Sequence, residues 1–180
     1  HLDDSGMKMR NLHGKRYVGY MDKVDFLQRI LADDVDASID CVIHMGACSS
    51  TTGTDERYYE ENNFEYSQHL AQWCMKHHAR YIYASSAATY GDGACGYEDD
   101  ETVLERLTPL NLYGWSKHKF DLWVVREGLA GAVVGLKFFN VFGPNEYHKG
   151  AMRSLIHKAY PRVMSDGKIE LFKSCRPDYG

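Results

Sequence analysis

The sequence feature that most restricts the fold is an alternation of short apolar runs with longer segments of helical periodicity. The apolar runs at 41–45, 81–84 and 132–139 are the predicted strands. Between them, in 56–78 and 113–127, apolar side chains recur every three or four positions, which is typical of helices. Strands and helices that alternate in this way form βαβ units. The predicted fold class is therefore α/β, with a doubly wound, Rossmann-like parallel sheet whose strands are buried.

Weaker elements are predicted on either side of this pattern. Residues 17–20 are a strand candidate, and Asp22 then precedes apolar positions at helical spacing as a good N-cap. A polar loop is expected from Ser86 to Pro109, and Gly128 is expected to end the 113–127 helix. Farther along, 151–164 are predicted helical and 169–172 are predicted to form a late strand.

Composition excludes several classes of function. The formal net charge of −4 implies no general attraction to nucleic acid or to an anionic membrane. No apolar run approaches the length of a bilayer span, and residues 1–10 lack the hydrophobic stretch of a secretory signal. Five scattered cysteines without a C-x-x-C pair, and the adjacent His77 and His78, predict no metal site. A reduced, cytoplasmic protein is the simplest interpretation.

A glycine pattern in 91–96 matches G-x-G-x-x-G but is not predicted to bind phosphate. Such a loop must leave a strand tightly and open a helix whose amides meet the pyrophosphate. Here the preceding strand ends about five residues earlier, and four carboxylates follow in 98–101. A flexible loop is the better interpretation. A first strand with a glycine-rich turn is also missing before Tyr17, so the chain is expected to lack the first βα unit and to be incomplete at both ends.

Tyr113 and Lys117 are the strongest candidates for catalysis. They lie four residues apart on one predicted helix, so their side chains occupy the same face. An ammonium beside a phenol favours the phenolate, which makes proton exchange with a substrate hydroxyl feasible. Ser86, at the carboxyl end of a predicted strand, can hydrogen-bond the reacting oxygen, because ligands of open α/β sheets bind at that edge. By itself, the Y-x-x-x-K spacing also fits an exposed aromatic–cation pair on a helix.

Four segments resemble a known family. They are 44–52 (HMGACSSTT), 83–91 (YASSAATYG), 109–117 (PLNLYGWSK) and 138–150 (FFNVFGPNEYHKG). These segments are similar to the ADP-L-glycero-D-manno-heptose 6-epimerases, which belong to the extended short-chain dehydrogenases of the NAD-dependent epimerase/dehydratase family. The likeness runs from about Asn11 onward. The ACSSTT and HKG segments are particular to this branch, whereas Y-x-x-x-K is shared by the superfamily.

The resemblance implies an epimerase that inverts C6″ of ADP-D-glycero-D-manno-heptose through a transient ketone, with NADP (or NAD) as the cofactor. Each epimer presents its hydroxyl from a different side, so two acid/base groups are needed. The resemblance assigns these roles to Tyr113 and Lys149. A lysine acting as a base must lose its proton, and burial or a nearby cation is expected to favour that loss. Without the resemblance, Lys149 would be interpreted as a surface lysine.

The same resemblance implies further contacts. The cofactor would be bound by Tyr113 and Lys117 and by Lys23, Met45, Gly46, Ala47, Cys48, Ser49, Asn62, Val141 and Lys149. The nucleotide-diphosphate sugar would meet Ser86 and Asn140, Ala151, Lys158, Phe172, Lys173, Ser174 and Cys175. Structural interpretations are stronger for two of these residues, since Val141 fits plain core and Lys158 a solvated helix face. Met45 and Ala151 depart from residues common in relatives. Residues 1–145 are predicted as a partial dinucleotide-binding domain, and 146–180 as the start of a smaller substrate-binding region.

Some alternatives stay open at this point. Another nucleotide-sugar enzyme of the superfamily, either a 4-epimerase or a 4,6-dehydratase, shares most of these residues. A dehydratase usually places an Asp-Glu pair beside the serine, where this chain has Ala87 and Ala88. A non-catalytic protein of the same fold is a second alternative, although a scaffold needs none of the four catalytic candidates. The family resemblance also implies a homo-oligomer, and it implies neither a nucleic-acid partner nor a membrane partner.

Overall fold

The computed structural model describes residues 6–170, and these fall into two compact units. Tyr17–Phe139 form the first unit, and residues 6–16 together with 140–170 form the second. The predicted division after residue 145 remains a prediction. Each unit is described by itself below, because the candidate residues are spread over both.

The first unit contains a parallel three-stranded sheet. Its strands are β1 (Cys41–His44), β2 (Arg80–Ser86) and β3 (Val133–Phe138), in the spatial order β1-β2-β3. The register sets Cys41 opposite Arg80 in β2, and Ser86 at the end of β2 opposite Phe138 in β3. All three strands and their parallel pairing are as predicted, so the α/β class is confirmed. The carboxyl ends of the strands meet at one edge of the sheet, where Ser86 lies.

The first unit has four α-helices, which are α1 (Lys23–Leu31), α2 (Glu56–Tyr59), α3 (Tyr66–Lys76) and α4 (Leu112–Arg126). Of these, α3 and α4 pack on the sheet, while α1 packs against α3 and α2 against α4. Both predicted signals at helix ends are confirmed. The Asp22 carboxylate accepts the backbone N–H of Val24 at 2.9 Å and caps α1. Gly128, at φ +68°, follows the last turn of α4 in the left-handed conformation that glycine adopts without strain.

Aromatic side chains dominate the core between the sheet and the helices. Tyr81 and Tyr83 of β2 are 1% and 5% exposed, and both pack edge-on against Phe120 of α4. The rings of Tyr83 and Phe120 have centroids 4.8 Å apart at 87°, a favourable geometry for aromatic pairs. Because alternate residues of a strand face opposite sides, Ala84 and Ser86 do not share the side of the sheet that Tyr83 faces.

A π-helical turn interrupts the helix predicted for 56–78. Glu60–Glu65 form this turn between α2 and α3, and the sequence pattern did not predict it. Such turns are rare and occur often at functional sites, because the extra residue re-aims the side chains next to it. Here the turn carries Asn63, whose side chain is completely buried.

Three expectations of local structure were wrong. Residues 17–20 form no strand; Tyr17 and Tyr20 are each 54% exposed, and no strand within the described residues pairs with them. Among the described residues β1 pairs with β2 on one side only, and Ile43 is 65% exposed, so the strand is not buried there as expected. The segment expected to be a loop up to Pro109 contains 3-10 helices at Ala87–Tyr90 and Glu101–Arg106. The second of these helices buries the apolar side chain of Leu104.

The second unit contains short helices. Among its described residues these are 3-10 helices at Met9–Leu12 and Tyr147–Met152 and the α-helix α5 (Leu155–Asp166). The predicted helix over 151–164 is divided after Met152, because Arg153 and Ser154 leave the helical conformation and Ser154 then caps α5. Of the predicted late strand, Ile169 and Glu170 are not in a strand, and the remainder lies outside the described residues.

Candidate active site

Ser86 and Tyr113 lie on segments that touch. Ser86 ends β2, and its hydroxyl oxygen accepts the backbone N–H of Ala88 at 3.1 Å. Tyr113 is half-buried in the first turn of α4 and is followed by Gly114. A Cβ on Gly114 would lie only 2.7 Å from the Ala88 carbonyl oxygen, so glycine is required for this approach. The structure therefore brings the turn that bears Tyr113 against the turn that follows Ser86.

Lys117 is one helical turn beyond Tyr113 and is 3% exposed. Burial lowers the pKa of its ammonium to about 8, and the carboxylate of Asp121 opposes that shift. Its Nζ makes no hydrogen bond to any residue in the described part of the chain. The side chain is buried, but its Nζ is not one of the fully enclosed polar atoms that lack a partner in residues 6–170. The ammonium can therefore be reached by a ligand that brings hydroxyl groups to it. A ribose diol is such a ligand.

Asn63 joins three parts of the site and was missed by sequence reasoning. Its Oδ1 accepts the backbone N–H of Cys48 at 2.7 Å, and its Nδ2 donates to the Cys48 carbonyl at 2.9 Å. The same Nδ2 lies 2.9 Å from the hydroxyl oxygen of Ser116, which donates to the Tyr113 carbonyl at 2.8 Å. Asn63 thus holds the loop after β1 against the helix that carries Tyr113 and Lys117. Only the tertiary structure reveals this role, because an asparagine beside Asn62 has no sequence signature.

The predicted cofactor residues of the first unit lie around this junction. Lys23 donates to the Oδ1 of Asn62 at 2.5 Å, so these two candidates meet directly. In the loop after β1, Cys48 is half-buried and tied to Asn63, whereas the other four candidates are exposed. Those four residues are Met45, Gly46, Ala47 and Ser49. The loop therefore presents backbone groups at the carboxyl end of β1, where α/β sheets bind ligands.

The glycine-rich segment 91–96 forms the predicted loop. Gly91, Gly93 and Gly96 have φ of +63°, +80° and +81°, and the segment follows a 3-10 turn rather than a strand. The next helical element, a 3-10 helix, begins at Glu101, so the segment does not open a helix. The prediction that it is not a phosphate-binding turn is consistent with this geometry.

The family profile described as "NAD dependent epimerase/dehydratase family" matches residues 5–179. The chain belongs to this family.

Individual members of the family resemble the chain closely. It is 53% identical over 172 residues, or 96% of its length, to a Nitratidesulfovibrio vulgaris protein named ADP-L-glycero-D-manno-heptose-6-epimerase, and covers 53% of that relative. The crystal structure of the Helicobacter pylori enzyme of that name matches 92% of the chain at TM-score 0.72 and 29% identity, with 52% of that enzyme covered. A UDP-N-acetylglucosamine 4-epimerase from Methanobrevibacter ruminantium matches 92% of the chain at TM-score 0.67 and 25% identity, with 54% covered. The chain thus spans about half the length of these relatives.

The second unit of this epimerase/dehydratase family member carries the remaining candidates. Lys149 lies in the 3-10 helix Tyr147–Met152 and is exposed, so the burial expected to favour its neutral form is absent. Asn140 and Val141 are also exposed, with Val141 at 63%, which excludes a plain core role for it. Lys158 reaches the Ala151 carbonyl at 3.4 Å, so two predicted substrate residues are adjacent. The candidates Phe172, Lys173, Ser174 and Cys175 lie outside the described residues.

A buried ion pair supports the Ser86 end of the site and was not predicted. Asp121, four residues after Lys117, accepts the hydroxyls of Tyr83 at 2.9 Å and Ser85 at 2.7 Å. It also accepts the ammonium of Lys137 at 2.6 Å, and both side chains are largely buried. Lys137 in turn donates to Thr89, whose hydroxyl donates to the Ser86 carbonyl at 2.8 Å. The i, i+4 spacing of Lys117 and Asp121 was the available signal in the sequence.

We expect Asp121→Asn to destabilise the protein by about 3–5 kcal/mol, because it leaves the Lys137 ammonium buried without its counter-charge. Adding Lys137→Met should recover more than half of this loss, since neither charge is then buried. The free energy of unfolding is measured by urea titration, monitored by circular dichroism, for Asp121→Asn, Lys137→Met and the double variant. Together with the wild type these form a double-mutant cycle. Strictly additive losses would show that the two side chains do not act as a pair.

Residues 6–170 contain neither a helix suited to a membrane nor a metal-binding cluster. No helix there combines the length and apolar composition that crossing a membrane requires. No cluster of three or more histidine, cysteine, aspartate or glutamate side chains suited to a metal ion occurs in the same residues.

Proposed function

We propose that the protein containing this chain inverts C6″ of ADP-D-glycero-D-manno-heptose to give the L-glycero epimer. The reaction proceeds by NADP-dependent oxidation to a ketone and re-reduction, and it supplies heptose for the lipopolysaccharide core. The observation that carries the proposal concerns the helix shared by Tyr113 and Lys117. Its first turn touches the segment after Ser86, and Lys117 is buried with no hydrogen-bond acceptor among residues 6–170. The name of the Nitratidesulfovibrio vulgaris relative supports the substrate.

The first unit has groups that fit a dinucleotide. The buried side chain of Lys117 offers its ammonium to the hydroxyls of a ribose, and the loop held by Asn63 offers backbone groups at the end of β1. Lys23 and Asn62, joined to each other, would bind farther along the cofactor. When bound, the nicotinamide supplies the acceptor and donor of hydride.

NADP is proposed in preference to NAD, and mass spectrometry of the nucleotide released from the purified full-length protein distinguishes them.

The acid/base work of the first unit falls to Tyr113 and Ser86. The hydroxyl oxygen of Ser86 accepts from Ala88, so its O–H proton remains available to donate to the reacting oxygen of the sugar. For one epimer, the Tyr113 phenolate takes the proton of the C6″ alcohol as the carbonyl forms. In the reverse direction, the resulting phenol returns that proton to the ketone oxygen. Lys117, one turn away, favours the phenolate electrostatically.

The second epimer requires a second acid/base group, and we assign this role to Lys149. The assignment rests on the HKG segment, because each epimer presents its hydroxyl on a different side. Asn140 and Val141 would flank substrate and nicotinamide, while Ala151 and Lys158 would contact the nucleotide sugar. Phe172, Lys173, Ser174 and Cys175 would help enclose it. In the conversion that begins at Tyr113, the Lys149 ammonium donates the proton to the ketone oxygen as it is reduced. In the reverse conversion, the neutral amine accepts that proton.

Product analysis tests the substrate. The full-length protein is incubated separately with ADP-heptose, UDP-galactose and dTDP-glucose, and products are followed by NMR. Epimerisation of ADP-heptose alone is expected. Turnover only of UDP-galactose or dTDP-glucose would refute the assignment in favour of a 4-epimerase or a 4,6-dehydratase. The structural likeness to the Methanobrevibacter ruminantium 4-epimerase makes the former the stronger alternative. No turnover of any of the three would favour a non-catalytic protein of this fold.

The cellular setting follows from the same proposal. Nucleotide-activated sugars are made and used in the cytoplasm, so the protein is proposed to be cytoplasmic. A homo-oligomer is proposed from the family resemblance, and sedimentation of the full-length protein measures its state. The only ligands proposed are the nucleotide-diphosphate sugar and the dinucleotide, with no nucleic-acid or membrane partner.

A further inference from the structure

Glu146 is an unusually well-satisfied carboxylate in the second unit. It is 4% exposed, and its Oε1 accepts the backbone N–H of Gly143 at 3.0 Å and the hydroxyl of Ser154 at 2.9 Å. Its Oε2 accepts the backbone N–H of Ser154 at 2.6 Å. Charge-assisted hydrogen bonds of this kind are stronger than neutral ones. One side chain therefore ties together two backbone positions that lie eleven residues apart in the chain.

The segment closed by these bonds carries Lys149. Residues 143–154 leave Gly143, pass through the 3-10 helix Tyr147–Met152 and return to Ser154, which caps α5 by accepting the N–H of His157. The Glu146 carbonyl also accepts the backbone N–H of Lys149 at 2.9 Å. Both the side chain and the backbone of Glu146 thus fix the path of the loop that presents this lysine.

The chemistry of Glu146 suits a structural holder and not a proton carrier. Hydrogen bonds from the Ser154 and Gly143 backbone and from the Ser154 hydroxyl, helped by the Lys149 ammonium, lower the pKa of Glu146 to about 2. The carboxylate is therefore ionised at any working pH. Both of its oxygens are engaged within the loop, so it has little capacity left for a substrate proton.

We infer that Glu146 is the positioning residue for the second acid/base group: it clamps residues 143–154 so that Lys149 is presented in one geometry. The inference rests on the proposed role of Lys149. Geometry at a reacting group matters strongly, because a displacement of about 1 Å can cost about 100-fold in rate. The clamp contributes through Lys149 and makes no contact with reacting atoms.

Glu146→Gln in the full-length protein tests the clamp. Glutamine loses the charge and presents an NH2 group to one of the donors, so at least one end of the loop is released. We expect amide hydrogen exchange in peptides covering 143–154 to rise by about tenfold or more. We also expect kcat for ADP-heptose epimerisation to fall by about 10- to 100-fold, with KM changed by less than about threefold.

A double-variant comparison shows whether Glu146 acts through Lys149. If it does, Glu146→Gln reduces kcat in the wild type but has no further effect in a Lys149→Met background. Multiplicative losses would overturn the inference, because Glu146 would then act on something else. Glu170→Gln serves as the matched control: it removes an exposed carboxylate, paired with Arg162, from the same unit and should leave exchange in 143–154 and kcat unchanged.

Different results would overturn the positioning role of Glu146 and the proposed epimerase function. Increased exchange without loss of kcat in an active enzyme overturns the positioning role and leaves the epimerase assignment intact. Unchanged exchange overturns the clamp itself. A wild-type protein without epimerase activity overturns the proposed function, and with it the catalytic purpose of the clamp.

Discussion

Replacing Tyr113 by Phe together with Lys149 by Met in the full-length protein is expected to abolish interconversion of the ADP-heptose epimers. Tyr113→Phe removes the proton acceptor for one epimer, and Lys149→Met removes it for the other. A positioned acid/base group contributes about 10²–10⁴ in rate, so each single variant should retain a small measurable activity. With both groups gone, neither face of the ketone intermediate has a proton donor.

The measurement is NMR of the heptose H6″ signal during incubation of each variant with either epimer. Tyr97→Phe with Lys168→Met provides the matched control, because it makes the same two chemical deletions at exposed positions. The control should turn over at the wild-type rate. Full activity of the Tyr113→Phe, Lys149→Met protein would show that the proton transfers use other groups.

Lys117→Met is expected to make the cofactor-free protein more stable while removing its activity. Burial places the pKa of Lys117 at about 8 instead of 10.5, so the charged lysine destabilises the native state at neutral pH. At about 1.4 kcal/mol per pKa unit, the variant should gain about 3 kcal/mol at pH 7. Methionine fills a similar volume without a charge. Removal of a functional residue that is costly to bury often has this effect on stability.

The stability gained by Lys117→Met is expected to decrease as the pH rises. Between pH 8 and 10.5 an unfolded Lys117 binds its proton and the native one does not, so wild-type stability rises with pH across this window. The advantage of Lys117→Met is therefore full below pH 8 and is lost as the pH approaches 10.5. Urea unfolding of wild type and variant at pH 7 and 10, after removal of bound nucleotide, measures it.

A neighbouring lysine supplies the control for this experiment. Lys119 is half-exposed and pairs with Glu60 at the surface, so Lys119→Met should change stability by less than about 1 kcal/mol at either pH. A Lys117→Met protein that is less stable than wild type at pH 7 would contradict the prediction. It would mean that the ammonium has acceptors in the apo protein that offset its burial.

Much of the first unit followed from periodicity, and the failures have identifiable causes. β2, β3 and α4 were predicted because an apolar run and a three-to-four repeat are local patterns. The prediction of a strand at 17–20 was wrong because a strand requires a pairing partner. A pattern of four residues does not show whether such a partner is available. The π-helical turn was not predicted because the residues around it have ordinary helical periodicity. One extra residue in a helical turn does not change that sequence pattern in a recognisable way.

The residues of the candidate site likewise fall into those that the sequence pattern predicted and those that it did not. Tyr113 and Lys117 were found because their spacing is itself the signal, and Ser86 because it ends a strand. Asn63 and Glu146 were missed because their importance lies in which distant backbone groups they reach. Asp121 was visible as an i, i+4 partner of Lys117, yet its bonds to Tyr83, Ser85 and Lys137 require the packed sheet.

By itself the sequence determined the α/β class, the order of strands and helices, and the Y-x-x-x-K face, because each depends on residues close together in the chain. Tertiary structure decided that Lys117 is buried with no acceptor in the described part of the chain, and that Lys149 is exposed on a loop closed by Glu146. It also decided that Gly114 lets the Tyr113 turn touch the Ser86 turn. Burial and hydrogen-bond partners depend on contacts between distant segments, and those contacts exist only once the chain has packed.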